Sequence, residues 1–310
     1  MKNRFNSLIA ILRKYNLKGY FRSLLSQIPP PTPRNLWLTL CSLVATQNLI
    51  VFTNSQITGN AITALLVWGG ALICMEDQIE DLRPNPSYHS LLIGTSMVLY
   101  CLYRTSTIFN SDSFLYFLVP VSGIALSLMV GPFKLILRFR DSLLILCLLP
   151  IFVVIQIIAA TYVTDDLSLL TAKFVLFWLG VLGLSPVQLV GDTVFTAGGA
   201  VQVMHECNGF EMIMQMMITA VIFLVAFPLR SRLGRCLIIF SAPIFGFIIN
   251  SMRIALLAVF TSFNSAKGRY LFDFFHEKAG SLIFSGIAVF ALGYLYLAVL
   301  ERELPPLSDH

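Results

Sequence analysis

From about residue 36 to residue 300 the chain consists of long apolar runs separated by short polar or charged turns. A helix that crosses a bilayer needs roughly 20 largely apolar residues. Runs of that kind fall at 36–53, 61–76, 90–109, 114–131, 142–160, 212–229, 236–260 and 281–300. A ninth run, 168–184, holds Lys173 and Trp178 and is closed by Pro186. Short loops rich in Lys and Arg stay in the cytoplasm, so Lys134, Arg138 and Arg140 mark one inner turn and Arg230, Arg232 and Arg235 another. The turns at 110–113 and 161–167 carry no basic residue and face outside, and the mostly acidic loop 76–89, with Arg83, goes inside by alternation. If 168–184 also crossed, the basic turn at 230–235 would fall outside; it is therefore read as an interfacial or re-entrant helix on the outer face. The expected fold is an all-α polytopic membrane protein of about eight transmembrane helices, with both termini cytoplasmic.

Residues 187–204 break the helical pattern. Val187, Leu189, Val194, Val201 and Val203 alternate with polar or small residues around Gly191-Asp192 and Gly198-Gly199, which predicts short strands and tight turns. A small β-hairpin on the outer face is expected there, feeding into His205-Glu206-Cys207-Asn208-Gly209. Ahead of the first span, residues 1–35 carry Lys2, Arg4, Arg13, Lys14, Lys18, Arg22 and Arg34 and no acid. Phe5, Leu8, Ile9 and Leu12, then Phe21, Leu24, Leu25 and Ile28, recur between them at helical spacing, as in a helix lying on an anionic inner leaflet. This basic amphipathic segment is joined through the proline-rich 29–33 to a single transmembrane domain, 36–303, and residues 304–310 form a short tail. No removable signal peptide is expected, and so apolar a segment does not suggest a nucleic-acid partner.

Composition adds exclusions. Of the 310 residues 57% are hydrophobic and 12% charged, which rules out an ordinary soluble domain and leaves little length for one beside the spans. The six cysteines include no CxxC pair, and there is no HExxH. Neither a disulfide framework, a zinc site nor a metalloprotease is suggested, and no metal or cofactor is expected.

Three residues stand out as chemistry. Cys207 lies just before the span that begins near residue 212 and runs inward to the basic turn, so it sits at the outer surface; a thiol near a helix N-terminus and cationic partners is a usable nucleophile. Arg253 lies within an apolar helix entered after Arg235, and 18 residues at about 1.5 Å each carry it roughly 27 Å across the core. An intramembrane Arg is a functional candidate unless it merely snorkels to headgroups. Asn250, three residues earlier, shares its face. His276 precedes the last span in the outer loop 262–280. A nucleophile, a cation and a general base thus converge at one depth on one face.

These residues resemble the exosortase and archaeosortase family, multi-span membrane enzymes marked by a Cys followed within two residues by Gly, an N-x-x-R within a span, and a His before the last span. Here the elements read Cys207-Asn208-Gly209, Asn250-Ser251-Met252-Arg253 and His276-Glu277-Lys278-Ala279-Gly280, in matching order over about residues 140–300. The basic, proline-linked start, Trp68-Gly69-Gly70 and Glu76-Asp77 look like the cyanobacterial branch, cyanoexosortase A. Where the family commonly has Glu-Ala-Cys-Ser-Gly, this chain has His205-Glu206-Cys207-Asn208-Gly209, so His205, Glu206, Asn208 and Asn250 stand as supporting or substrate-binding candidates.

The resemblance implies a membrane cysteine transpeptidase or protease of the plasma (inner) membrane with its site on the non-cytoplasmic face. It would act on C-terminal sorting signals, a Pro-Glu-Pro-like motif followed by a span and a basic tail, on exported proteins. Its partners are those proteins and membrane lipid, with no nucleic acid and no cofactor. Cys207 would form an acyl-enzyme, His276 would move the proton and Arg253 would stabilise the oxyanion; release to water and transfer to an acceptor are both open. Two other readings use the same residues: a small-molecule or lipid transporter with Arg253 and Asn250 as its anion site, and a non-catalytic scaffold that binds sorting helices.

Overall fold

The structure, a computed structural model, describes residues 32–54, 58–80, 86–107, 114–162, 164–276 and 278–303. The expected amphipathic segment before residue 32 and the tail after 303 lie outside the described residues. The chain divides into two compact units, Met1–Leu40 and Cys41–His310, and the candidate site belongs wholly to the second.

Ten α-helices are described: α1 Pro33–Asn54, α2 Thr58–Glu80, α3 Tyr88–Thr107, α4 Phe114–Leu128, α5 Arg140–Tyr162, α6 Thr164–Val181, α7 Phe210–Ala226, α8 Arg232–Ser262, α9 Ala266–His276 and α10 Lys278–Glu303. A 3-10 turn, Phe133–Phe139, leads into α5, and a second one, His205–Cys207, leads towards α7. Among the described residues six segments are long and apolar enough to cross a membrane: Pro33–Thr53, Ala61–Ile79, Phe133–Ala159, His205–Ala226, Arg232–Ser262 and Gly280–Glu303. The protein is thus a mostly helical, multi-pass membrane protein. The other two expected spans correspond to α3 and to the shorter apolar α4. Those two pack closely: a Cβ on Gly94 would lie 2.7 Å from the Ala125 carbonyl oxygen, and the buried Ser90 hydroxyl donates to the carbonyls of Leu128 and Gly131.

The run expected at 168–184 is α6, displaced towards the N-terminus. It stops at Val181 because Gly183 takes a left-handed φ of 72°, with Leu184 N–H bonding Leu179 O and Gly183 N–H bonding Gly180 O, each at 3.0 Å. This is a Schellman ending, and it closes the helix before Pro186 is reached.

The expected hairpin has a third strand. Strands β1 Gln188–Val190, β2 Thr193–Thr196 and β3 Gly199–Gln202 form an antiparallel meander in the order β1-β2-β3, in which Val194 pairs with Leu189 on one side and Val201 on the other. Those two valines, with Val203, are buried against Ala172, Val175 and Leu179 of α6 and Ile254, Ala255, Leu257 and Ala258 of α8. Period-two alternation therefore seats the sheet on two helices by one face.

A second core joins α7, α8 and α10 through Met212, Met216, Ala220, Ile238, Ala242, Ile249, Ala288 and Leu292. α7 and α8 meet so closely that a Cβ on Gly246 would fall 2.8 Å from both Ile213 Cα and Met212 O. Phe240 and Phe290, by contrast, are 70% and 77% exposed, as side chains facing lipid are.

Candidate active site

The long helix α8 organises the site. Ser231 caps it, its Oγ accepting from Gly234 N–H at 2.8 Å, and the helix then runs without a break past Asn250 and Arg253 to Ser262. A tight turn through Asn264 follows, its φ of 39° being left-handed. The Ser265 hydroxyl accepts from Gly268 N–H at 3.0 Å and starts α9. A Cβ on Gly268 would lie 2.7 Å from Phe260 O, so α9 folds straight back along the end of α8. The nine residues from Arg253 to Ser262 rise about 14 Å and the ten from Ala266 to His276 descend about 15 Å, which returns His276 to the level of Arg253. The sequence reading has His276 in a loop; it is the last residue of α9.

Cys207 arrives from the other direction. Its backbone N–H bonds Met204 O at 2.9 Å in the 3-10 turn, and Gly209, with φ 93°, turns the chain into α7. The glycine is required twice: its φ suits no other residue well, and a Cβ there would lie 2.8 Å from Asn250 Nδ2. The outcome is a Cys207 Sγ 4.0 Å from His276 Nε2. Which imidazole nitrogen carries the proton follows from the tautomer.

Asn250 and Arg253, one turn apart on α8, hold the two partners by their backbones. Asn250 Nδ2 donates to Cys207 O at 2.9 Å. Arg253 Nε donates to Phe275 O at 3.3 Å and an Nη donates to His276 O at 2.9 Å. Arg253 is only 8% exposed, and an Arg without partners at membrane depth costs about 3 kcal/mol or more; these carbonyls supply partners. Two of its five N–H donors are engaged in this way. Its charge acts on both Cys207 and Glu211, the latter in the first turn of α7. The His276 ring is stacked on Phe272, centroids 5.3 Å apart and planes 10° from parallel.

The structure thus brings Cys207, Arg253, His276 and Asn250 together. The other candidates are arranged differently. Asn208 is fully buried, its Oδ1 accepting from Phe210 N–H at 3.0 Å at the start of α7 and its carbonyl accepting from the Thr171 hydroxyl at 2.8 Å; it builds the turn that presents Cys207. His205 and Glu206 are exposed and line a cavity beside the Cys207 segment. No group of His, Cys, Asp and Glu among the described residues has the arrangement of a metal site.

Sequence reasoning overlooked several contributors. Thr171 and Trp178 of α6 brace the site, the Trp178 Nε1–H donating to Ser251 Oγ at 3.0 Å. Glu211 and Phe272 were also passed over, and Gly280 was noted only as part of its motif. A Cβ on Gly280 would collide with the Phe275 backbone, whose carbonyl Arg253 holds. Of these contributors only Gly280 carried a legible signal, as part of the motif His276-Glu277-Lys278-Ala279-Gly280.

The family model for transmembrane exosortases (Exosortase_EpsH) matches residues 33–293. No curated protein and no solved structure matches the chain. A match that takes in α8 whole, with the segments bearing Cys207 and His276, covers most of the sequence, and the chain belongs to the transmembrane exosortase family.

Proposed function

We propose that this protein is a cysteine transpeptidase or protease that processes C-terminal, Pro-Glu-Pro-like sorting signals on exported proteins, with Cys207 as nucleophile and His276 as its acid–base partner. The observation that carries the reading is that one face of α8 ties both reacting residues: Asn250 holds the carbonyl of Cys207 and Arg253 that of His276, with Sγ 4.0 Å from Nε2.

His276 takes the thiol proton as Cys207 Sγ attacks the scissile carbonyl, and returns it to the leaving amine; the C–N bond breaks and a thioester remains. The thioester is then resolved by water or by an acceptor. Arg253 positions the imidazole through the Phe275 and His276 carbonyls, and its remaining donors are available to a developing oxyanion. Against an anion-transport site stands the engagement of Asn250 Nδ2 and two Arg253 donors with backbone carbonyls.

In this reading α3 and α4 cross the membrane as well, giving eight spans, and the site faces the non-cytoplasmic side of the plasma (inner) membrane. Support comes from the end of α10: the Glu303 carboxylate accepts from the backbone N–H groups of Arg230 and Ser231 at 2.6 and 3.2 Å, so the C-terminal end of the last helix and the basic turn share one side, the cytoplasmic one by charge. The basic start and the Trp68-Gly69-Gly70 segment support the cyanoexosortase branch.

The test co-expresses the protein with a reporter carrying a candidate C-terminal signal. Wild type cleaves it and Cys207→Ala, Arg253→Ala and His276→Ala do not; equal processing by all four removes the enzyme reading. Labelling with a membrane-impermeant thiol reagent modifies Cys207 from outside, and modification only from the cytoplasm reverses the topology.

A further inference from the structure

The three-stranded sheet ends in an open edge. In the order β1-β2-β3, β3 pairs only with β2, Gly199 opposite Thr196, Ala200 opposite Phe195, Val201 opposite Val194 and Gln202 opposite Thr193. A two-residue hairpin closes on a hydrogen-bonded pair, and bonded and non-bonded pairs then alternate along an antiparallel ladder. Gly199 with Thr196 and Val201 with Val194 are therefore the bonded pairs. The next position has the same parity, since Val203 N–H bonds Asp192 O at 3.0 Å. Ala200 and Gln202 consequently direct their N–H and C=O groups away from β2. Gln202 O accepts from Met204 N–H at 3.2 Å. The N–H and C=O of Ala200 and the N–H of Gln202 have no hydrogen-bond partner among the described residues.

Two further features distinguish this edge. Edge strands are ordinarily protected by charge, proline or a bulge, whereas Gly199-Ala200-Val201-Gln202 contains no charged residue and no proline and pairs in continuous register. Its side chains alternate, Val201 and Val203 buried and Ala200, Gln202 and Met204 exposed. The strand also leads directly, through Val203 and Met204, into the 3-10 turn that carries Cys207, whose Sγ stands 4.0 Å from His276 Nε2. The opposite edge, β1, follows Pro186 and leads only into the β1–β2 turn.

We propose that the free edge of β3 binds the processed protein as an added antiparallel strand, pairing with its Pro-Glu-Pro-like segment and delivering the adjoining chain to Cys207. The identity of the occupant rests on the proposed function. An extended peptide on a sheet edge gains affinity from main-chain hydrogen bonds and specificity from alternate side chains. Proline has no N–H to donate to a ladder, so it fits a strand only where that group would point away from the partner. In Pro-Glu-Pro the two prolines share one parity and the glutamate has the other. The glutamate N–H therefore donates to Ala200 O and the Ala200 N–H donates to the glutamate C=O, while both ring nitrogens face away from β3. Opposite residues of an antiparallel pair lie on one face. The prolines thus share the face of Val201 and Val203, and the glutamate side chain lies with Ala200 on the exposed face, where its charge stays in water.

The probe is a fluorescein-labelled peptide with Pro-Glu-Pro at its centre, titrated by fluorescence anisotropy into the full Cys207→Ala chain in detergent micelles, so that binding is independent of cleavage. Its counterpart carries N-methylglutamate, which lacks the one N–H that pairs with β3. Methylation weakens binding about tenfold, the effect of leaving Ala200 O unpaired. In the same background Ala200→Pro deletes the outward N–H and no bond to β2, because the position is a non-bonded one. It weakens the unmethylated peptide about tenfold, whereas the conservative Ala200→Val, which keeps the N–H, retains the affinity. The losses from methylation and from Ala200→Pro combine to less than their sum, since both act on one residue pair. Equal binding of the methylated and unmethylated peptides overturns the site, and that arm needs no change to the protein. Unchanged affinity in an Ala200→Pro chain of native thermal midpoint overturns it as well.

Reporter cleavage separates this site from the enzymatic reading. With Cys207 intact, Ala200→Pro raises KM about tenfold and lowers kcat far less, as loss of ground-state binding does. Cleavage with unchanged KM removes the edge and leaves the nucleophile in place. Methylation-sensitive binding by a protein that cleaves no reporter sustains the edge as a peptide site while the enzymatic reading fails.

Discussion

Replacing Arg253 by lysine keeps the positive charge and removes the fork. In the native protein Nε and an Nη reach two successive carbonyls, those of Phe275 and His276, at 3.3 and 2.9 Å. A single ammonium is a point charge on a flexible stem and cannot reproduce that two-pronged grip. At least one charged hydrogen bond is lost, worth about 1.5–3 kcal/mol, and the residue that loosens is the one whose Nε2 stands 4.0 Å from Cys207 Sγ. If that loosening is felt fully in the transition state, at about 1.4 kcal/mol per factor of ten, processing slows by ~10- to 100-fold. The assay is pulse-chase cleavage of the reporter across pH 6 to about 9, together with the rate at which iodoacetamide alkylates Cys207. Arg253→Lys is expected to slow both and to alter the pH profile, because the imidazole no longer stands in a fixed place. A lysine variant that cleaves at the wild-type rate with the wild-type pH profile refutes the positioning argument and leaves Arg253 as a simple charge.

Three further outcomes follow from the same geometry. His276→Ala reduces reporter cleavage by ~10²- to 10⁴-fold, the usual contribution of a general acid–base group, while antibody detection of the protein in membranes stays unchanged. Gly209→Ala lowers the thermal midpoint in detergent, since a left-handed φ costs a non-glycine residue about 1–3 kcal/mol and the new Cβ meets Asn250 Nδ2; combined with Asn250→Ala the loss is smaller than the sum of the two, because the residues touch. Gly246→Leu overpacks the crossing of α7 and α8, where even a Cβ would lie 2.8 Å from Ile213 Cα, and costs about 1–3 kcal/mol or more, read as a lower midpoint and faster limited proteolysis.

The membrane character of the chain, and the residues that the structure brings together at 207, 250, 253 and 276, were legible from residue order alone. Runs of apolar residues near 20 long leave helices as the only economical way to satisfy the backbone in lipid, and the short valine alternation at 187–204 differs from them in period, so the sheet was visible too. The motif at 205–209, the N-x-x-R at 250–253 and the histidine at 276 were visible as residue types at a shared depth. Less was legible where the deciding contact is remote. The end of α6 depended on Gly183 adopting a left-handed φ, which is one residue's conformation set against a stronger proline signal at 186. Helix α9 was hidden because 11 residues with charges at both ends resemble a loop until they fold back on α8.

Sequence by itself determined which groups exist and which segments must be buried in lipid, since hydropathy and charge are properties of each residue and its neighbours along the chain. Tertiary structure alone decided what those groups do to one another. That Asn250 holds the Cys207 carbonyl, that Arg253 holds those of Phe275 and His276, and that the Asn208 carbonyl takes the Thr171 hydroxyl are contacts between residues far apart in the chain. Hydrogen bonds act over about 3 Å, and only packing brings such residues within that distance.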